Sequence, residues 1–386
     1  MAVNFSQQEN SAVSKEAAEA KEVKENKSTM DKINDFLLVF SRVPSSEKLF
    51  FVQHLSVMLK AGVSLLISLQ TLAKQTKNLL FVKVLNDISA NVEKGKSLTE
   101  SLKMHEKIFG ELFVNMIEAG ETSGKLENVL GQLYIQMKKQ HELVSRVKGA
   151  LTYPAVVLFA MSGIGIFMMI MVVPKITSML TDFNTELPFA TKILIGISNS
   201  LVSHGIVWGI GFAAFVFAVY KTLQTYQGKY YFQIFLLNMP IISTIVKKIN
   251  LAKFARTVSS LLKTDIMIIK TFQITANVLG NLHYRKAVLE MAERIKKGGT
   301  INEVIAMYPK LFSPIVIQMV AIGEQTGELD NILVELAEFY ENEVDQTMEN
   351  LPSIIEPLLI LVLGGAVGAM AVAIIMPMYS ITSGGI

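Results

Sequence analysis

The chain has 386 residues, 36 Lys and Arg against 33 Asp and Glu for a net charge of +3, and no cysteine. Without cysteine it holds no disulfide, thiolate zinc site, iron–sulfur cluster or cysteine nucleophile, and a nearly balanced charge gives no reason to expect nucleic acid. Charged types make up only 18% and apolar types 51%, with a mean hydropathy of +0.41; soluble globular chains carry roughly a quarter charged residues, so the depletion points to a membrane protein.

Residues 1–45 open the chain as a polar extension in which Lys and Glu alternate between Lys15 and Lys27. It is too poor in apolar residues to build a core and is expected to be disordered. Helices then follow one another. After Ser46 and Glu47, the apolar positions Leu49, Phe50, Leu55, Met58 and Leu59 recur at helical spacing, and Gly62 suits the C-terminal stop. Segments Ser64–Lys74 and Asn78–Lys94 read the same way, the second ended by Gly95. Ser97, Leu98, Thr99 and Glu100 form a capping box. A further helix over Leu112–Ala119 stops at Gly120, and from Lys125 one long helix runs on into an apolar stretch. No window alternates in the manner of a strand.

Three stretches are long and apolar enough to cross a bilayer. Tyr153–Val173 is 21 residues without a charge, about 31 Å of helix and so about the thickness of the hydrocarbon layer. Leu201–Tyr220 is weaker, with His204 near its start, and Pro357–Pro377 matches the first in quality. None is N-terminal, so none reads as a cleavable signal peptide. Gly163, Gly364 and Gly368, with Pro154 and Pro357 at the entrances, are candidate positions for close packing of membrane helices.

An internal duplication organises everything after the extension. At an offset of 203 positions Phe51 meets Phe254, Gly95 meets Gly298, Phe109 meets Phe312, Pro154 meets Pro357 and Pro174 meets Pro377. The densest match sets Gly120–Leu130 (GETSGKLENVL) against Gly323–Leu333 (GEQTGELDNIL). One offset held without a gap across more than 120 residues is a tandem copy, and the membrane helix belongs to the copied unit. The predicted fold is an all-α integral membrane protein with two repeated cytoplasmic bundles of about six helices each and three transmembrane helices. The predicted order is the extension 1–45, a first repeat 46–150, a first crossing 151–174, a short outer loop 175–200, a second crossing 201–221, a linker and second repeat 222–352, a third crossing 353–377 and an outer tail 378–386. Sister units belong in one compartment, and the second crossing returns the chain for that purpose. Lys138, Lys139, Arg146 and Lys148 precede the first crossing, and Lys221, Lys229, Lys247 and Lys248 follow the second; the positive-inside rule places both bundles and the N-terminus in the cytoplasm and the C-terminus outside. Acidic Glu341, Glu343, Asp345 and Glu349 make the third crossing uninformative.

No catalytic, cofactor-binding or metal-binding set emerges. Gly95-Lys96-Ser97 resembles the end of a phosphate loop, but Ala90 stands where the first glycine is needed and helix-forming residues where the strand is needed. His105-Glu106 and His141-Glu142 lack the second His of a zinc helix. No apolar run carries the mid-membrane charge usual in pumps and channels. What remains is the twice-written turn of Gly120, Glu121 and Gly124 and of Gly323, Glu324 and Gly327. Its first glycine suits a helix end at positive φ, and its carboxylate suits the N-terminus of the helix that follows. Two readings stay open: a turn that joins helices, or an acidic docking knob or cation site.

The segment beginning Phe50-Phe51-Val52, the GETSGKLENVL turn, Ala150-Leu151-Thr152-Tyr153-Pro154 with the later Val172-Val173-Pro174, and Ile354-Ile355-Glu356-Pro357 with the later Ile374–Ile381 resemble, in order and over roughly residues 46–380, the inner-membrane platform proteins of type IV pilus assembly, the PilC/GspF family. The resemblance implies a non-enzymatic scaffold of the bacterial inner membrane, without cofactor, that self-associates in the bilayer. It implies as partners a cytoplasmic hexameric assembly ATPase, pilin or pseudopilin subunits and other inner-membrane assembly proteins, with ATPase motion coupled to pilin extraction. A secretion or competence pseudopilus platform is the alternative within the family, and a transporter or channel subunit the one outside it.

Overall fold

A computed structural model describes residues 42–181 and 189–383. Most of the polar extension and the end of the tail, for which disorder and an outer location are predicted, lie outside the described residues. Those described form sixteen α-helices and no strand.

The first copy comprises α1 (Ser45–Lys60), α2 (Leu65–Gln75), α3 (Leu79–Glu93), α4 (Leu98–Lys103), the single turn α5 (Glu106–Phe109), α6 (Glu111–Thr122) and the long α7 (Leu126–Phe167). Local chemistry sets most of these ends. The side chains of Ser64, Asn78 and Ser97 accept from the backbone N–H groups of Ile67, Phe81 and Glu100, which would otherwise have no partner in the first helical turn. Gly62 and Gly95 close α1 and α3 at φ +81° and +84°, where a side chain would be strained.

Past the return crossing, α11 (Ile242–Leu262), α12 (Ile268–Val278), α13 (Leu282–Lys296), α14 (Ile301–Ala306), α15 (Pro314–Thr326) and α16 (Leu329–Ser383) repeat that order without a counterpart of α5. The bounds of α12, α13 and α14 are those of α2, α3 and α4 moved by 203, so the copy extends to helix ends. Asp265 takes the place of Gly62 and keeps its left-handed backbone at φ +59°; Asp is among the few residues that tolerate that region.

The chain divides into two compact units at Met137/Lys138. In the first, Phe51, Phe81 and Phe109 form a buried trio with ring centroids 5.6–6.0 Å apart. In the second, Phe254, Tyr284 and Phe312 occupy the equivalent places, with Phe312 5.6 Å from Phe254 and 5.5 Å from Tyr284. Burying a tyrosine where the first copy has phenylalanine requires a partner for its hydroxyl, and Tyr284 donates to the Leu311 carbonyl at 2.6 Å. Thr275, at the place of Leu72, has no such solution: its hydroxyl is buried without a partner among the described residues. Thr275→Val removes that group at nearly constant volume. It is expected to stabilise the second unit by about 1 kcal/mol, read as a raised thermal midpoint of the purified protein; a lowered midpoint would contradict the assignment.

Stem and membrane crossing are continuous. α7 runs through Pro154 into a π-helical turn at Met168–Val172 and on into α8 (Val173–Thr181), and α16 is one helix of 55 residues. The return crossing is α9 (Phe189–Gln224), kinked at His204, whose φ of −126° and ψ of 30° are not helical. Among the described residues, three helices are long and apolar enough to span a membrane: Leu126–Ser178, Thr191–Gln224 and Leu329–Ala373. The segment predicted as an outer loop is helical at 175–181 and 189–200, so helix extends beyond the apolar runs on both sides. A separate helix, α10 (Tyr226–Asn238), follows α9 and meets α11 at 110°.

Candidate functional site

The twice-written acidic turn is a helix cap acting at a distance. The Glu121 carboxylate accepts from the backbone N–H of Leu98 at 2.8 Å and of Thr99 at 2.9 Å, and from the Thr99 hydroxyl at 2.6 Å. In the second copy the Glu324 carboxylate accepts from the N–H of Ile301 and, at 3.1 Å, of Asn302. Ser97 and Thr300 take the third amide of each short helix. A six-residue helix has too few internal bonds to hold its own ends, so a charged acceptor on its first amides, at the positive end of its dipole, anchors it.

Two expectations about this turn need correction. Gly120 and Gly323 do not end their helices; they lie inside α6 and α15. Their lack of a side chain serves packing instead: a Cβ at Gly120 would come within 2.9 Å of the Val129 Cβ, and one at Gly323 within 3.1 Å of the Leu329 Cα. Gly124 and Gly327 carry the positive φ, +68° and +75°. Nor does the carboxylate cap the helix that follows; it caps the short helix about 23 residues upstream. Spacing along the chain points to the nearest N-terminus, whereas α6 folds back across α4 and brings the earlier one within reach. Among the described residues, no three His, Asp or Glu side chains cluster as a metal site would require.

Three stem acids of α16 are matched by cations. Arg256, only 10% exposed, makes a bidentate pair with Glu341 at 2.7 and 2.8 Å. Lys139 lies 3.3 Å from the same carboxylate, Arg146 2.9 Å from Asp345 and Lys248 2.7 Å from Glu343. Leu143 of α7 is buried in the same core, with Val147 and Ala150 against it. Three of the four acids that confuse the charge pattern before the third crossing, Glu341, Glu343 and Asp345, are thus partners of cations from α7 and α11.

Between the spans lies an apolar groove of about 680 Å³, bordered by Gly165 and Met169 of α7 and its π turn, Ile193 and Ile197 of α9, and Ala366 and Ala369 of α16. Two hydroxyls tie the helices beside it: Thr191 donates to the Ala373 carbonyl at 2.7 Å and Ser198 to the Met169 carbonyl at 2.5 Å. Hydrogen bonds to carbonyls are a usual way of joining helices in lipid. Of the predicted packing positions, Pro154 is buried and Pro357 exposed, while a Cβ at Gly163, Gly364 or Gly368 would meet nothing within 4 Å. Those glycines face away from the rest of the chain. Residues 202–222 of α9 are likewise exposed throughout, and Gly205-x-x-x-Gly209 on that stretch is open in the same way. Sequence reading passed over this pair, although its spacing is the small-xxx-small signal it used in α16.

The comparisons with known proteins bear on this architecture directly. The family profile of type II secretion system (T2SS), protein F, matches the chain twice, at residues 51–174 and 254–377. The type IV pilus assembly protein PilC of Thermus thermophilus is 35% identical over 347 residues, 88% of this chain and 85% of that protein. The PilC of Myxococcus xanthus is 31% identical over 342 residues, 89% and 82% respectively. Type II secretion system protein F of Vibrio cholerae is 29% identical over 331 residues, 86% and 81%. With its helical unit written twice, each copy joined to a span, and both copies matched, this chain is an integral membrane protein that belongs to the type II secretion system protein F family.

Proposed function

We propose that the protein is a non-enzymatic inner-membrane platform for type IV pilus assembly, coupling a cytoplasmic hexameric assembly ATPase to the extraction of pilin subunits and the growth of the filament. The observation that carries this reading is the duplicated helical bundle, each copy continuous through a helical stem with a membrane span, in a chain whose relatives include several named for pilus assembly. A helix of 55 residues joins bundle and span, so displacement at its base can reach the bilayer along one element. Both bundles, over 46–150 and 222–352, and the N-terminus lie in the cytoplasm, with crossings at 151–174, 201–221 and 353–377 and the C-terminus outside. The bundles face the ATPase. The open glycine faces of the spans and the exposed half of α9 meet apolar helices: a second copy, pilin stems or other inner-membrane assembly proteins. A secretion platform is the second reading, favoured by the Vibrio relative.

Deleting the gene is expected to abolish surface filaments while pilin accumulates in the inner membrane, with recovery from a plasmid copy. Loss of exoprotein release with filaments intact would move the assignment to secretion, and loss of neither would overturn it. Since the chain has no cysteine, Lys175→Cys and Lys297→Cys report topology cleanly: an impermeant thiol reagent should label the first in whole cells and the second only after lysis.

A further inference from the structure

Behind α10 the second unit holds a pocket of about 420 Å³ whose lining includes three lysines, Lys247 of α11, Lys286 of α13 and Lys310 of the turn before α15, beside the neutral Asn238. The three ammonium groups come from separate elements, and none has an ion-pair partner among the described residues. The carboxylate of Glu290 accepts from the hydroxyl of Tyr308, which also lines the pocket. Burial, reinforced by Glu290, pushes that hydroxyl's pKa up to about 12, so Tyr308 stays neutral. His283 completes the wall, its ring 4.6 Å from that of Tyr230, with Nε2 buried and unpartnered among the described residues.

The pocket is built and held. Gln233 of α10 donates to the Gly280 carbonyl at 3.1 Å and accepts from the Leu282 N–H at 2.7 Å, which fixes α10 across the N-terminus of α13. Lysines gathered on one wall, with no ion-pair partner among the described residues, favour an anion held among them. Placement in the fold narrows the anion. α10 begins two residues after the end of spanning helix α9, and it turns Tyr226, Tyr231 and Phe235 outward, 71%, 70% and 58% exposed. Aromatic side chains on a helix at the end of a span are the composition that settles at the membrane–water interface. The first copy lacks the full set: at the offset of 203, Pro44 stands for Lys247 and Leu80 for His283, although Lys83 and Lys107 stand for the other two lysines.

We propose that this pocket binds the phosphate of an anionic ligand, and that the ligand is the headgroup of an anionic phospholipid in the bilayer against which α10 rests. The inference stands apart from the platform reading, because it depends only on α10 and its surroundings. Full-length protein in detergent, titrated with phosphatidylglycerol or phosphatidylcholine and weighed by native mass spectrometry, tests it. The wild type should retain phosphatidylglycerol in preference. The variant Lys247→Gln/Lys286→Gln/Lys310→Gln should bind it about a hundredfold more weakly, at roughly fivefold per lysine near an anionic surface, while Lys263→Gln/Lys270→Gln/Lys297→Gln, with the same loss of charge, should keep it. Equal retention by both variants, or no preference between the lipids, would overturn the proposal. Glycerol phosphate separates the sources: binding in lipid-free micelles as tight as that of phosphatidylglycerol, and lost in the first variant, would make the pocket a soluble-phosphate site and defeat the lipid assignment.

Discussion

Arg256→Ala is expected to destabilise the second unit by about 3–5 kcal/mol, the range for breaking a buried ion pair from one side. The guanidinium and the Glu341 carboxylate are 10% and 12% exposed and share two hydrogen bonds. Truncating the arginine leaves a nearly buried carboxylate with Lys139, at 3.3 Å, as its remaining cation. The double replacement Arg256→Met/Glu341→Leu removes both charges and fills both volumes, and should recover most of the loss. Hydrogen exchange across α11, measured on the purified protein, reads the difference: protection at residues 250–262 should fall sharply in the single variant and return in the double. Equal loss in both would show that the pair matters for its shape rather than its charge. The first copy has Gln53 and Lys138 at the corresponding places, so the effect should be confined to the second unit.

Glu121→Ala is expected to destabilise the first unit by about 2–4 kcal/mol. It deletes a charged acceptor serving two amides and a hydroxyl, and hydrogen bonds to charged groups contribute about 1.5–3 kcal/mol each, less what water recovers at a half-buried site. Glu121→Gln keeps one acceptor oxygen and should lose about half as much. Glu324→Ala should act on α14 as Glu121→Ala acts on α4. The direct readout is exchange at the amides of Leu98 and Thr99, and of Ile301 and Asn302. Unchanged protection there, together with a loss of filament assembly, would instead make the acidic turn a docking surface. The conservative variant separates the two outcomes, since glutamine can still cap but presents no charge to a partner.

Much of this molecule is legible along the chain because its determinants are local. Helical periodicity needs only residues three and four apart, and caps such as Ser64, Asn78 and Ser97 sit beside the amides they satisfy. A bilayer span is a matter of length and missing charge. The tandem copy is read by comparing the chain with itself, so the repeated helices, the three spans and the aromatic positions Phe51 and Phe254 all follow from residue order. Contacts between residues far apart in sequence do not. Glu121 reaches Leu98 because α6 doubles back over α4, and Glu341 pairs with Arg256, 85 positions away, because two helices of the second unit lie side by side. Spacing therefore assigned the acidic turn to the wrong helix, took the packing glycines Gly120 and Gly323 for helix ends, and left the stem acids without partners. The cationic pocket behind α10 was hidden for the same reason: its lysines lie on three elements, and packing alone brings them to one wall.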